Sequence, residues 1–178
     1  MQQIVIALVE NKPGVLNRVA SLFRRRGFNI ESLTVGHTDK PGISRMTIVM
    51  EGDNNNAERV TSYLYKLVNV IQVEDVSGRP TVSRDLAMIK VSVTTANRSE
   101  IIQLVDVFRA RIVDVSNESM IIEITGDCDK IDGFVEVLRP YGIIEMGRTG
   151  LVSMMRGAVS AANPATINGN GKLIAMFN

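Results

Sequence analysis

The chain has 178 residues, 45% of them hydrophobic, enough to bury one sizeable core or two small ones. Its formal net charge of +1 gives no electrostatic basis for binding nucleic acid or an anionic membrane surface. A single cysteine, Cys128, excludes an internal disulfide, and a single histidine, His37, excludes a histidine-rich metal site or a Ser-His-Asp or Cys-His arrangement within one chain.

The start, Met1 to Ile6, lacks the positive flank and cleavage region of a signal peptide and reads at once as a strand. Ile4, Ile6 and Leu8 alternate with Val5, Ala7 and Val9, so this strand is apolar on both faces, as a central strand is. Glu10-Asn11-Lys12-Pro13-Gly14 breaks the pattern, and Pro13 fits the first position of a helix. Val15, Leu16, Val19, Ala20 and Phe23 recur at helical spacing as one inward stripe. Arg24, Arg25 and Arg26 crowd the last turn, where cations complement the helix dipole, and Gly27 stops it. These arginines read as a solvated face. Phe28 and Ile30 have the opposite parity to Leu33 and Val35, which predicts a bulge near Glu31 and Ser32. A turn at 38–42 leads to a strand over 43–50. Asn54, Asn55 and Asn56 offer caps for a helix with Val60, Leu64 and Leu67 inward, and a strand follows over 70–76.

Ser77-Gly78-Arg79-Pro80-Thr81 reads as a linker, after which the same order returns. Ala87, Ile89, Val91 and Val93 alternate as a strand. Asn97 with Glu100 resembles a capping box for a helix with Ile101, Val105 and Phe108 inward. Strands over 112–115 and 120–124 flank a turn. Asp127 or Asp129 caps a helix with Ile131, Phe134, Val135 and Leu138, Pro140 ends it, and a strand over 143–146 closes the set. Two βαββαβ units therefore stand in tandem, each expected to form a four-stranded antiparallel sheet under two helices, an α+β arrangement of ferredoxin-like type. Only 4% of residues are aromatic and none is Trp, so aliphatic side chains do the packing. The expected organisation is a first domain over 1–77, a second over 78–156 and a flexible tail over 157–178.

Chemistry is scarce. No glycine-rich phosphate loop follows a strand, and Asn168-Gly169-Asn170-Gly171-Lys172 lacks the spacing and hydroxyl of one. The central strands carry Ile, Val and Met instead of the aromatics on which RNA bases stack. No run approaches the ~20 apolar residues of a membrane span. The expectation is a non-catalytic cytoplasmic protein without a cofactor or metal of its own. One segment points to a ligand. At 10–16, free backbone N–H groups at a helix start attract a carboxylate, Gly14 leaves the approach open, and Asn11 offers a donor and an acceptor.

That segment, with 26–36 (Arg-Gly-Phe-Asn-Ile-Glu-Ser-Leu-Thr-Val-Gly) and 44–49 (Ser-Arg-Met-Thr-Ile-Val), resembles the ACT domain of acetolactate synthase small subunits. In the second half, 84–91 (Arg-Asp-Leu-Ala-Met-Ile-Lys-Val) and 141–150 (Tyr-Gly-Ile-Ile-Glu-Met-Gly-Arg-Thr-Gly) resemble the C-terminal domain of the same family, which is ACT-like in its order of elements. The likeness covers about residues 1–156. It implies a regulatory subunit that activates a large catalytic subunit holding thiamine diphosphate, Mg²⁺ and FAD. It also implies feedback by a branched-chain amino acid, typically valine, bound between two ACT domains of a homodimer. Carried over by motif, Asn11 and the amides of Gly14, Val15 and Leu16 would receive the ligand's polar groups, and Asn29 and Ile30 of the partner chain would complete the pocket. The alternative from another class is a stand-alone amino-acid-binding regulator, such as a transcriptional co-regulator. The absence of a helix-turn-helix counts against direct DNA binding.

Overall fold

The first half builds its sheet around β1 (Gln2–Glu10), the apolar strand at the start of the chain. In the computed structural model, which describes residues 2–52 and 54–157, β1 is followed by α1 (Val15–Arg26), β2 (Ser32–His37), β3 (Ile43–Glu51), α2 (Asn54–Leu64) and β4 (Val70–Asp75). All pairings are antiparallel and the strand order is β2-β3-β1-β4, so β1 and β3 are central while β2 and β4 are edges. Val5, Ala7 and Val9 of β1 and Met46, Ile48 and Met50 of β3 face the helices and are buried. Burying each of the larger side chains contributes about 1.5–3 kcal/mol.

The helix faces differ in detail from the sequence pattern. Val15, Val19, Leu22 and Phe23 form the buried stripe of α1. Leu16 and Ala20 turn outward instead, Leu16 being 47% exposed. Pro13 is not the first helical residue either: it lies in a turn, and Gly14 is the N-cap, with φ +82°. Gly27 closes the helix at φ +70°, as its position predicts. Glu31 and Ser32 both stand opposite Val49, the Glu31 N–H donating to its carbonyl at 2.9 Å while Ser32 pairs it in the register, so the strand is irregular where the bulge was expected. The β2–β3 register runs unbroken from Ser32 to His37, and Phe28 and Ile30 belong to the connection before it, packed against the core. The parity change marks the start of the strand.

The outer edge of β4 is partly closed. The Tyr65 hydroxyl donates to the carbonyl of Val73 at 2.9 Å and accepts from its N–H at 3.1 Å.

The second half runs β5 (Thr81–Ser92), α3 (Arg98–Val107), β6 (Arg111–Val115), β7 (Ser119–Gly126), α4 (Cys128–Leu138), a 3₁₀ turn over Arg139–Tyr141, β8 (Ile143–Arg148) and β9 (Val152–Met155). The order is β6-β7-β5-β8, with β9 also pairing β5, so this sheet has five strands where four were expected. The expected linker is correspondingly shorter, because Thr81 already belongs to β5. Asp127, and not Asp129, caps α4, accepting from the Lys130 N–H at 2.9 Å. Asn97 caps α3 without a capping box: its side-chain oxygen accepts from the Thr94 N–H at 2.7 Å, forming a local turn instead. The core gathers Ile89, Val91, Ile101, Ile122, Ile131 and Phe134, with Phe108 against Phe134 at 4.9 Å between ring centres.

The repeat extends to an irregularity. The register against the last strand of each βαββαβ unit shifts between Leu8 and Val9 in one half and between Lys90 and Val91 in the other. By contacts the chain divides into two compact units, Ser83–Val152 and the remainder. The expected tail lies outside the described residues beyond Gly157.

Candidate functional site

The loop from β1 to α1 is held from both sides. The Asn11 N–H donates to Gly42 O at 2.8 Å and the Lys12 N–H to Glu10 O at 2.9 Å. The Val15 N–H donates to Lys12 O at 3.3 Å, so this amide, expected to be free for a ligand, already has an acceptor. The N–H groups of Gly14 and Leu16 have none among the described residues. They are the ordinary orphan donors of a helix start, where the dipole adds partial positive charge. A Cβ built on Gly14 would meet nothing within 4 Å, so the space beside its Cα is open.

Side chains divide the site further. Val15 is committed to the core, so only its backbone can face a ligand. Leu16, directed outward, supplies apolar surface beside the two amides. Asn11 is exposed at the loop's start. Two cations that the sequence reading passed over border this end of the helix. Lys12 Nζ lies 3.1 Å from the Glu10 carboxylate. Arg18 donates to the Asn69 side-chain oxygen at 2.6 Å, and Asn69 donates in turn to Glu10, also at 2.6 Å. Arg18 stands four residues after Gly14, one helical turn on, and that spacing was the available signal.

Asn29 and Ile30 are not brought to this loop. They follow the C-terminal end of α1, a helix of 12 residues and therefore about 18 Å long. Asn29 is exposed and donates to the Glu31 carboxylate, while Ile30 packs against the core. Within one chain the two parts of the expected pocket sit at opposite ends of a helix. The edge strand that follows Ile30 carries an exposed Val35, Gly36 and His37.

Elsewhere the polar clusters are structural in form. Asp85, 3% exposed, accepts from Arg148 Nε at 2.7 Å, Thr149 Oγ1 at 3.2 Å and the Gly150 N–H at 3.1 Å. Arg148 also reaches Asp132 at 2.6 Å. Every partner in this cluster is engaged, as a buried charge requires. Burial pushes the Cys128 thiol up, with Arg148 opposing, which disfavours the reactive thiolate. Among the described residues no group of three His, Cys, Asp or Glu side chains could hold a metal, and no helix is long and apolar enough to cross a membrane.

Comparison with known proteins covers both halves. Residues 6–72 match the family model of the AHAS small subunit-like ACT domain, and residues 84–157 match that of the small subunit of acetolactate synthase. A probable acetolactate synthase small subunit from Archaeoglobus fulgidus is 54% identical over 157 residues, covering 88% of this chain and 98% of that protein. An acetolactate synthase small subunit from Mycobacterium leprae is 51% identical over 150 residues, covering 84% and 89%. The crystal structure of the Thermotoga maritima acetolactate synthase small subunit superposes with a TM-score of 0.84 at 44% identity, covering 89% of this chain and 99% of that one.

Proposed function

The chain belongs to the family of acetolactate synthase small subunits, and from that premise we propose that it activates the catalytic large subunit and transmits feedback inhibition by a branched-chain amino acid, valine first. It carries no active site of its own in this reading. Thiamine diphosphate, Mg²⁺ and FAD belong to the large subunit, and the complex works in the cytoplasm. The observation that carries the reading is the match of small-subunit models to both halves. A stand-alone regulator built on an ACT domain would account for the first half only, and is not favoured.

The geometry at α1 supports an amino-acid effector. Its carboxylate meets the Gly14 and Leu16 amides, Asn11 takes a polar group, and the exposed Leu16 side chain takes the branched aliphatic part. Asn29 and Ile30 close the pocket from a second copy, because about 18 Å of helix separates them from Gly14 within one chain. That second copy joins along β2, an edge strand of the first sheet. Valine, leucine and isoleucine differ by methylenes worth about 1–3 kcal/mol each, so the site grades these effectors without excluding any.

Reconstitution tests the reading. The purified chain alone should turn over no pyruvate, should raise the rate of its cognate large subunit, and should lower that rate when valine is added. Absence of stimulation at micromolar concentrations of both subunits overturns it.

A further inference from the structure

Helices α1 and α2 cross the first sheet antiparallel: Arg18 meets Asn69 at one end of their seam, and Arg59 stands over the Phe28 ring at the other, 5.7 Å from its centre. Between those ends opens a cleft of about 270 Å³ lined by Leu22, Arg25, Arg26, Tyr63, Lys66 and Leu67. Arg26 lies 4.2 Å and Lys66 5.3 Å from the centre of the Tyr63 ring. The ring's negative face holds these cations in place at the mouth of the cleft.

Arg24, Arg25, Arg26, Arg59 and Lys66 form no ion pair with a carboxylate among the described residues. The whole chain is nearly neutral, 20 cations against 19 acids, whereas the lining of this cleft has three cations and no acid. The dipole of α1 accounts for arginines in its own last turn. It does not account for Arg59 and Lys66, which come to the same seam from α2 and the turn after it.

We propose that this seam is the docking surface for an acidic segment of the catalytic large subunit. The proposal rests on the reading of the chain as that enzyme's regulatory subunit. The cleft accommodates one or two carboxylate side chains between the aliphatic walls of Leu22 and Leu67. From Arg59 to the end of α2 at Leu64 the helix runs about 7.5 Å, and Lys66 follows in the next turn, a footprint matched to a protein surface more than to one small anion. The chain's own Arg26 and Lys66 already lie against the Tyr63 ring and would compete with the stacking of a base.

The test uses the full-length chain and its cognate large subunit, titrated together while pyruvate turnover is followed. The Arg25→Glu/Lys66→Glu variant should need at least tenfold more protein for half-maximal stimulation. Arg25→Lys/Lys66→Arg, which keeps both charges, should stay within about twofold of wild type. The gap between the variants should narrow as salt rises from about 0.05 to 0.5 M, because exposed charges are screened. An unchanged melting temperature and valine titration of the reversed variant establish that it is folded. Wild-type stimulation by that variant overturns the proposal while leaving the proposed function intact. Unchanged affinity for the large subunit combined with loss of a pyrophosphate-induced rise in melting temperature overturns it as well, assigning the cleft to a small anion. If the wild-type chain stimulates nothing, the proposed function and the seam fall together.

Discussion

Replacing Gly14 separates backbone strain from charge. Gly14 sits at φ +82°, a conformation that costs a residue with a Cβ about 1–2 kcal/mol. No atom lies within 4 Å of the added Cβ, so that strain is the whole stability cost, and a domain stable by about 5–15 kcal/mol remains folded. Gly14→Ala and Gly14→Asp share this cost, since an Asp cap needs an extended backbone that the loop does not offer. They differ in the charge placed where the effector's carboxylate is proposed to bind. Two like charges about 4 Å apart repel by about 1 kcal/mol in water and about 4 at an effective dielectric near 20. Valine affinity should therefore be roughly fivefold to several hundredfold weaker in the Asp variant than in the Ala variant. Calorimetric titration with valine reads the difference, thermal melting checks that both variants lose similar stability, and stimulation of the large subunit should persist in both. A folded Gly14→Asp chain that binds valine as well as Gly14→Ala places the carboxylate elsewhere and refutes the site.

Other outcomes follow from separate features. Light scattering at micromolar concentration should give the mass of a dimer, and a monomer with and without valine would remove the shared pocket. Asp85→Asn strips the charge from an acceptor of bonds from Arg148, Thr149 and Gly150, and should destabilise the second unit by about 2 kcal/mol; a melting curve unchanged by the substitution contradicts that. Because burial raises the Cys128 thiol, its thiolate is scarcer at a given pH than that of a free thiol. Iodoacetamide should accordingly modify it more slowly than glutathione at pH 8, with the rate still climbing above pH 9. Equal rates at pH 8 would show an accessible, unperturbed thiol.

Strand and helix order was legible because the aliphatic periodicity is nearly uninterrupted: Val5, Ala7 and Val9, or Ala87, Ile89 and Val91, leave little choice of partner face. What escaped were features decided by single contacts. Hydrophobicity put Leu16 inside, yet its position on α1 turns it outward, and Leu22 fills the core instead. The Asn97 and Glu100 pair has capping-box spacing, but the Thr94 N–H captures the Asn97 side chain first. Pro13 suits a helix start in general, and the left-handed Gly14 displaces that start by two residues. β9 is only four residues long, Val152–Met155, and no periodicity could register over so short a run. At the candidate site the Gly14 and Leu16 donors were readable from their place at a helix start, whereas the Val15 amide, expected beside them, is taken by Lys12 O. The flanking cations were not readable, because Arg18 reaches the loop through Asn69, a residue 51 positions away.

The small bridge from Tyr65 to Val73 bears on how many copies can assemble. Val73 sits midway along β4, and its outward donor and acceptor are both consumed by one hydroxyl. A strand approaching β4 would have to break that bridge, so pairing through this edge starts with a cost at its middle. Joining β2 of one copy to β4 of the next would be a head-to-tail contact, able to repeat without limit into a fibre. Joining β2 to β2 uses the same surface twice and leaves nothing to propagate. One tyrosine therefore biases the sheet towards a closed pair and away from an open polymer.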